Sequence, residues 1–151
     1  AGKCRFVGIS AHHLSAKCHR FVESGEVDVL LTIVNFADRY TYRFESEVLP
    51  LARKHNVGIV AMKVFGGAKK MDYDLPIPQV DVQHLELAVR YSAAVPGVST
   101  LNLGVYEKDQ LRKDVQMVKN CQPLEPQQQT MLAQLGRDLA SQWGPHFGPA
   151  A

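Results

Sequence analysis

Four short apolar or β-branched runs recur along the chain, each ending in polar or glycine-containing residues and each followed by a segment of helical period. They are "RFVGIS" (residues 5–10), "VDVLLTIVN" (27–35), "VGIVAMKVF" (57–65) and "VSTLNLG" (98–104). The middle two are almost continuously apolar, the pattern of parallel strands covered on both faces. The alternation predicts a βα repeat.

Between the runs, apolar residues fall three and four apart. Ser15 can cap a first helix that carries Cys18, Phe21 and Val22 on one side and stops at Gly25. A second helix, starting near Ser46 and running to about His55, presents Val48, Leu51 and Ala52, with Pro50 tolerated in its first turn. The third run leads into a long loop, "GGAKKMDYDLPIPQ" (66–79), before Asp81 caps a helix bearing Leu85, Ala88 and Val89. Loops of that length usually have a task or are mobile. The fourth run turns through "GVYEKDQ" (104–110) into a helix with Leu111, Val115 and Val118. "QPLEPQQQ" (122–129) then opens a last helix with Met131, Leu135 and Leu139, ahead of a Gly/Pro tail. No linker interrupts the series, so residues 1–151 are expected to form one domain, with 122–151 as its C-terminal helix and tail.

Four consecutive βα units with right-handed crossovers fit either an open doubly wound sheet or one half of a closed (β/α)₈ barrel, and periodicity does not choose between them. A complete barrel takes roughly 250 residues, so this chain of 151 residues has room for only about half of one. In both architectures ligands belong at the C-terminal ends of the strands, where Ser10, Asn35, Phe65 with Gly66, and Gly104 fall.

Composition narrows the partners. With 46% hydrophobic and 21% charged residues the chain reads as one ordinary globular domain. Its 17 basic and 15 acidic residues are interspersed, leaving no basic stripe for nucleic acid or an anionic membrane surface. Cys4, Cys18 and Cys121 lack a C-x-x-C spacing, which suits a reducing, cytoplasmic setting. No apolar stretch approaches the ~18 residues of a membrane span. The opening "AGKCRFVGIS" lacks an initiator methionine and reads as the start of a fragment, a processed product or an incomplete copy.

Three features offer chemistry. Lys63 lies in an apolar strand, where a desolvated amine can attack a carbonyl as a Schiff-base nucleophile; the plainer and favoured reading is a strand end that meets an anion or water. "FGGAKK" (65–70) and "LGVYEKDQL" (103–111) place glycines where backbone N–H groups can approach a phosphate, without Walker A spacing. "SAHH" (10–13), with Cys18 and His19 a turn further on, holds zinc-ligand residue types, but adjacent histidines point apart and no metal site is assigned. The nucleophile-elbow pattern G-x-S-x-G and the dinucleotide pattern G-x-G-x-x-G are both absent.

Read in order, "RFVGISAHH", "VDVLLTIVNFADR", "EVLPLARKHNVGIVAMKVFGG" and "GVSTLNLGVYEKDQLRKDV" resemble the second half of an aldo-keto reductase, from Lys3 to about Cys121. The resemblance implies strands five to eight of a (β/α)₈ barrel, four βα units plus a C-terminal helix, that binds an extended NADP(H) across its C-terminal face. Ser10 matches the serine that holds the nicotinamide carboxamide, while the usual neighbouring asparagine is Ala11 and the partnering glutamine is Leu31. Met62 takes the place of an aromatic beneath the nicotinamide. Lys63, Val64, Phe65 and Gly66 match the segment beside the pyrophosphate, and Gly104, Val105 and Tyr106 the turn at the adenosine phosphate. Lys108 and Arg112 are the nearby cations, Gln110 matches the adenine-side glutamine, and Asp114 stands where an asparagine is usual.

The family's catalytic Tyr, Lys, Asp and His lie on the first four strands, so no catalytic residue is assigned in this chain. The implied function is NADP(H)-dependent reduction of a small aldehyde or ketone, with this chain inactive alone and associating with the missing half-barrel or with itself. Two alternatives are a non-catalytic nucleotide-binding or interaction module and an aldolase-like enzyme centred on Lys63.

Overall fold

The computed structural model of the chain describes residues 2–67 and 78–150. Each apolar run yields a strand: β1 (Gly8–Ala11), β2 (Val29–Ile33), β3 (Gly58–Met62) and β4 (Val98–Asn102). Between and after them come α1 (Ser15–Glu23), α2 (Arg39–Tyr42), α3 (Leu49–Lys54), α4 (Leu85–Ala94), α5 (Lys108–Lys119) and α6 (Pro126–Trp143). A π-helical turn (Phe44–Val48) runs directly into α3, where Pro50 falls in the first turn as expected, and a 3₁₀ turn (Val82–His84) leads into α4. Neither α2 nor the π-helical turn is legible in the periodicity, because each is only four or five residues long.

The strands are parallel and lie in the order β1-β2-β3-β4. A doubly wound sheet must reverse its strand order so that helices cover both faces. With the order running one way and every crossover of the same hand, all helices fall on one face. Burial follows that rule: Leu30, Thr32, Ile59 and Ala61 are fully buried under the helices, whereas Val29, Leu31 and Val60 are half-buried. The register aligns Ser10, Leu31, Val60 and Thr100 across the sheet in one row of that second face. The middle strands are therefore covered on one side and half-open on the other, not covered on both as their apolar character predicts. In a closed barrel the second face is buried by the strands opposite.

Helix faces divide the same way. Cys18, Val22, Val48, Ala52, Ala88 and Val89 are buried, matching their spacing. Phe21, Leu111, Val115, Val118 and Met131 are between 40% and 54% exposed, against expectation. Four of the five sit on α1 and α5, the helices that follow the two edge strands and lack a neighbour on their outer side. On α6 the buried position is Leu132 rather than Met131.

Capping also departs from expectation. Ser15 is the first helical residue, preceded by Leu14 in the left-handed region at φ 58°, and its hydroxyl donates to Glu47 Oε2 (3.2 Å) instead of capping α1. Asp81 makes no side-chain cap bond. The helix with a reciprocal cap is α6, where Gln128 accepts from the Glu125 N–H at 3.0 Å and the Glu125 side chain accepts in return. This helix lies against the segment after β2: Tyr40 Oη donates to Ala133 O at 3.2 Å, and Leu132 is buried. A Cβ at Gly136 would overlap the Phe36 carbonyl, so the helix can approach this closely only through glycine. Gly136→Ala is expected to lower stability by about 1–3 kcal/mol in urea unfolding, and an unchanged midpoint would contradict this docking.

Candidate functional site

The strand ends are organised by Asn35, which is fully buried just past β2. Its Oδ1 accepts from the N–H groups of Ala37 (3.0 Å) and Asp38 (2.7 Å), and its Nδ2 donates to Asp38 Oδ2 (2.7 Å) and Lys63 O (2.9 Å). All four bonding positions of the carboxamide are thus used, and they tie the end of β2 to the end of β3. Lys63 occupies the left-handed region at φ 59°, which turns the chain out of β3 and lets Gly66 N–H donate to Lys63 O at 2.8 Å. Gly66, at φ 78°, then pairs antiparallel with Gln79 and closes the neck of the long loop. The loop residues 68–77, including Lys69 and Lys70, lie outside the described residues.

Beside this neck a cleft of about 360 Å³ opens at the C-terminal ends of β2, β3 and β4. Met62, Lys63, Val64, Phe65, Gly66, Gly104 and Tyr106 all line it, together with Leu31. A shallower extension of about 220 Å³ carries it along Phe65, Gly104 and Tyr106 to Gln110 and Asp114. An added Cβ at Gly104 would meet no protein atom within 4 Å, so the glycine leaves open space for a ligand rather than relieving a crowded backbone. The donors present, a lysine ammonium and backbone N–H groups at a glycine turn, fit an anionic, extended cofactor.

Other expected site residues fall beside the cleft or away from it. Ser10 is exposed in the row of Leu31, one strand beyond. Val105 and Lys108 are exposed and do not line the cleft. Arg112 pairs with Asp109 at 2.8 Å and faces a separate groove between α4 and α5. Gln110 Oε1 accepts from Tyr106 N–H at 2.9 Å, which leaves its Nε2 for a ligand. Burial pushes the Asp114 carboxyl above its ordinary range. His12, which the sequence suggests only as a metal-ligand type, also lines the cleft, as do Gln79, Asn102 and Leu103, which no motif singles out. Their positions depend on register and on the loop neck, which no local pattern encodes.

Lys63 Nζ sits 5.2 Å from the ring centroid of Phe147, a contact that rests on the positive charge of the ammonium. Phe147 belongs to the tail after α6, which crosses the strand ends: its N–H donates to Tyr42 Oη at 2.7 Å, and Trp143 lies against Gly66. Asp38, His146 and Tyr42 therefore gather near Lys63, the residue types of the catalytic set that the resemblance implies upstream. Tyr42 is nonetheless fully buried, and burial raises the pKa of its phenol, so it has no access to a substrate. Burial likewise pushes the Asp38 carboxyl up, opposed by Asn35 and His146.

On the helix side, Tyr91 Oη donates to both oxygens of Glu45 (2.9 and 2.7 Å) beside Arg39, at the edge of a cavity of about 380 Å³ between α4 and α6. This network joins α4 to the π-helical turn, away from the strand ends. Among the described residues no cluster of His, Cys, Asp or Glu has the arrangement of a metal site, and no helix is long and apolar enough to cross a membrane.

The same backbone arrangement occurs in aldo-keto reductase AKR11C1 from Bacillus halodurans. Its apo form superposes with a TM-score of 0.59 at 19% identity, and its holo form with a TM-score of 0.61 at 20% identity. Each match covers 87% of this chain and 50% of the other. The fold is that of half an aldo-keto reductase barrel. The chain spans about half the length of these structures, in keeping with its four βα units. No family model and no curated protein matches its sequence.

Within this half-barrel, His12 and Lys63 share the cleft wall. Burial, then the Lys63 ammonium and His13, hold the His12 imidazole below its ordinary pKa. Removing the cation in Lys63→Met is expected to move the His12 titration upward in an imidazole NMR titration; an unmoved value would place Lys63 elsewhere.

Proposed function

We propose that the chain is the cofactor-holding half of an NADP(H)-dependent aldo-keto reductase acting on small aldehydes or ketones. The observation that carries this reading is the continuous strand-end groove from Leu31 and Met62 past Lys63 and Gly66 to Gly104, Gln110 and Asp114, in half of an aldo-keto reductase barrel. When bound, the cofactor supplies the hydride. Here Met62 and Leu31 give an adaptable apolar wall for the nicotinamide end. The Lys63 ammonium balances the pyrophosphate charge, and Gly104 with the Gln110 carboxamide receives the adenosine end. The resemblance places the general acid of the reaction on the first four strands of the family's barrel, so on this reading the proton comes from the other half-barrel.

The edges of β1 and β4, unpaired among the described residues, with Phe6, Val7 and Phe21 exposed near one and Leu111, Val115 and Val118 near the other, support association with that half or with a second copy. A second reading is a nucleotide-binding module without hydride chemistry. It is favoured by Leu31 and Met62, which offer no polar hydrogen to a carboxamide.

Titration of the 151-residue chain with NADPH, followed by cofactor fluorescence, is expected to show binding that Lys63→Ala weakens about tenfold. The chain alone is expected not to reduce an aldehyde. Absence of NADPH binding would overturn both readings, and aldehyde turnover by the chain alone would overturn the division between halves.

A further inference from the structure

The tail after α6 makes a contact that the groove does not require. His146 Nδ1 lies 3.0 Å from Gly144 O, and since a carbonyl only accepts, Nδ1 carries the hydrogen. His146 Nε2 then faces Asp38 Oδ1 at 3.7 Å. Both atoms are buried, and neither has a hydrogen-bond partner among the described residues. The Asp38 side chain is wholly inaccessible and that of His146 is 9% exposed. With no proton between them, two lone pairs oppose each other where water is shut out, which is costly. With one proton, either an N–H···O or an O–H···N bond forms after a small closing of the gap.

We propose that residues 143–148 form a proton-linked strap, which docks when Asp38 and His146 hold one proton between them and which, once docked, positions Lys63 at the cleft. The effect on Lys63 rests on the cofactor reading above; the proton linkage does not. Docking seats Phe147 under the Lys63 ammonium and on Tyr42, and sets Trp143 edge-on to His146 at 5.5 Å. The groups facing the pair are Asn35 and Tyr42; Lys63 lies over the neighbouring Phe147 ring, with His13 beneath Gly148 and His12 beside Lys63. The strap is docked on the acid side and released as rising pH removes the shared proton.

Trp143 is the sole tryptophan and reports on the strap directly. Its emission in the 151-residue chain is expected to change in a single one-proton step as pH rises. Asp38→Asn, whose carboxamide can donate to His146 Nε2 without a titrating proton, is expected to remain docked and lose the step. His146→Gln, which alters only the strap, is expected to lose it too, while His12→Gln and His13→Gln keep it. A wild-type chain without the step, a step unchanged in His146→Gln, or one lost in His12→Gln or His13→Gln overturns the linkage. In NADPH titrations His146→Gln is expected to bind about two- to fivefold more weakly, the size of one cation–π contact. Unchanged affinity overturns the effect on Lys63. If NADPH binds none of these proteins while the step behaves as described, the cofactor reading fails and the linkage stands.

Discussion

A single carboxamide fixes the geometry on which the strand-end region depends. Asn35 is buried with every donor and acceptor used, so its four bonds cannot be exchanged for water without leaving buried polar groups unpaired. Through the N–H groups of Ala37 and Asp38 it starts the turn into α2, and through the Lys63 carbonyl it holds a non-glycine residue in the left-handed region. That backbone setting costs of order 1–3 kcal/mol and persists because its surroundings impose it. The direction in which β3 leaves the sheet, the placement of Lys63 on the cleft wall and the seat of Asp38 beneath the tail all follow from it.

A second constraint is topological. Because the strand order never reverses, the helices cover one face, and the other is left half-open, with two edges unpaired among the described residues. Apolar residues that spacing assigns to a core, such as Leu111, Val115 and Phe21, are exposed for this reason rather than through weak packing. Leu31 and Met62 belong to that second face, Leu31 in the row of Val60 and Met62 in the next row, between Ile33 and Asn102, at the strand ends where the groove lies.

The sequence reads well where the signal is local. Four apolar runs gave four strands, Pro50 and Gly25 fell at helix ends, and the glycines at 66 and 104 fell at the strand-end cleft. It reads poorly where the outcome depends on what lies opposite. The continuous apolar character of β2 and β3 suits burial on both faces, yet here one face is half-open; Arg112 looks like a groove cation but pairs with Asp109 on another surface. Asn35 reads as a strand end, and its role becomes visible only with Lys63, 28 residues away in sequence. Nothing in the Gly/Pro tail pattern points to His146 meeting Asp38, which needs the path of the chain after α6.

The strand-end groove, not the helix-side cavity, is the proposed seat of the nicotinamide dinucleotide, and backbone amide chemical-shift mapping of the labelled chain with NADP⁺ distinguishes the two. Concentration-dependent shifts are expected at Lys63, Val64, Phe65 and Gly66 and at Gly104, Tyr106 and Gln110. Shifts confined to the helix-side cavity around Tyr91, Leu124 and Leu132, with the strand ends unmoved, would contradict it.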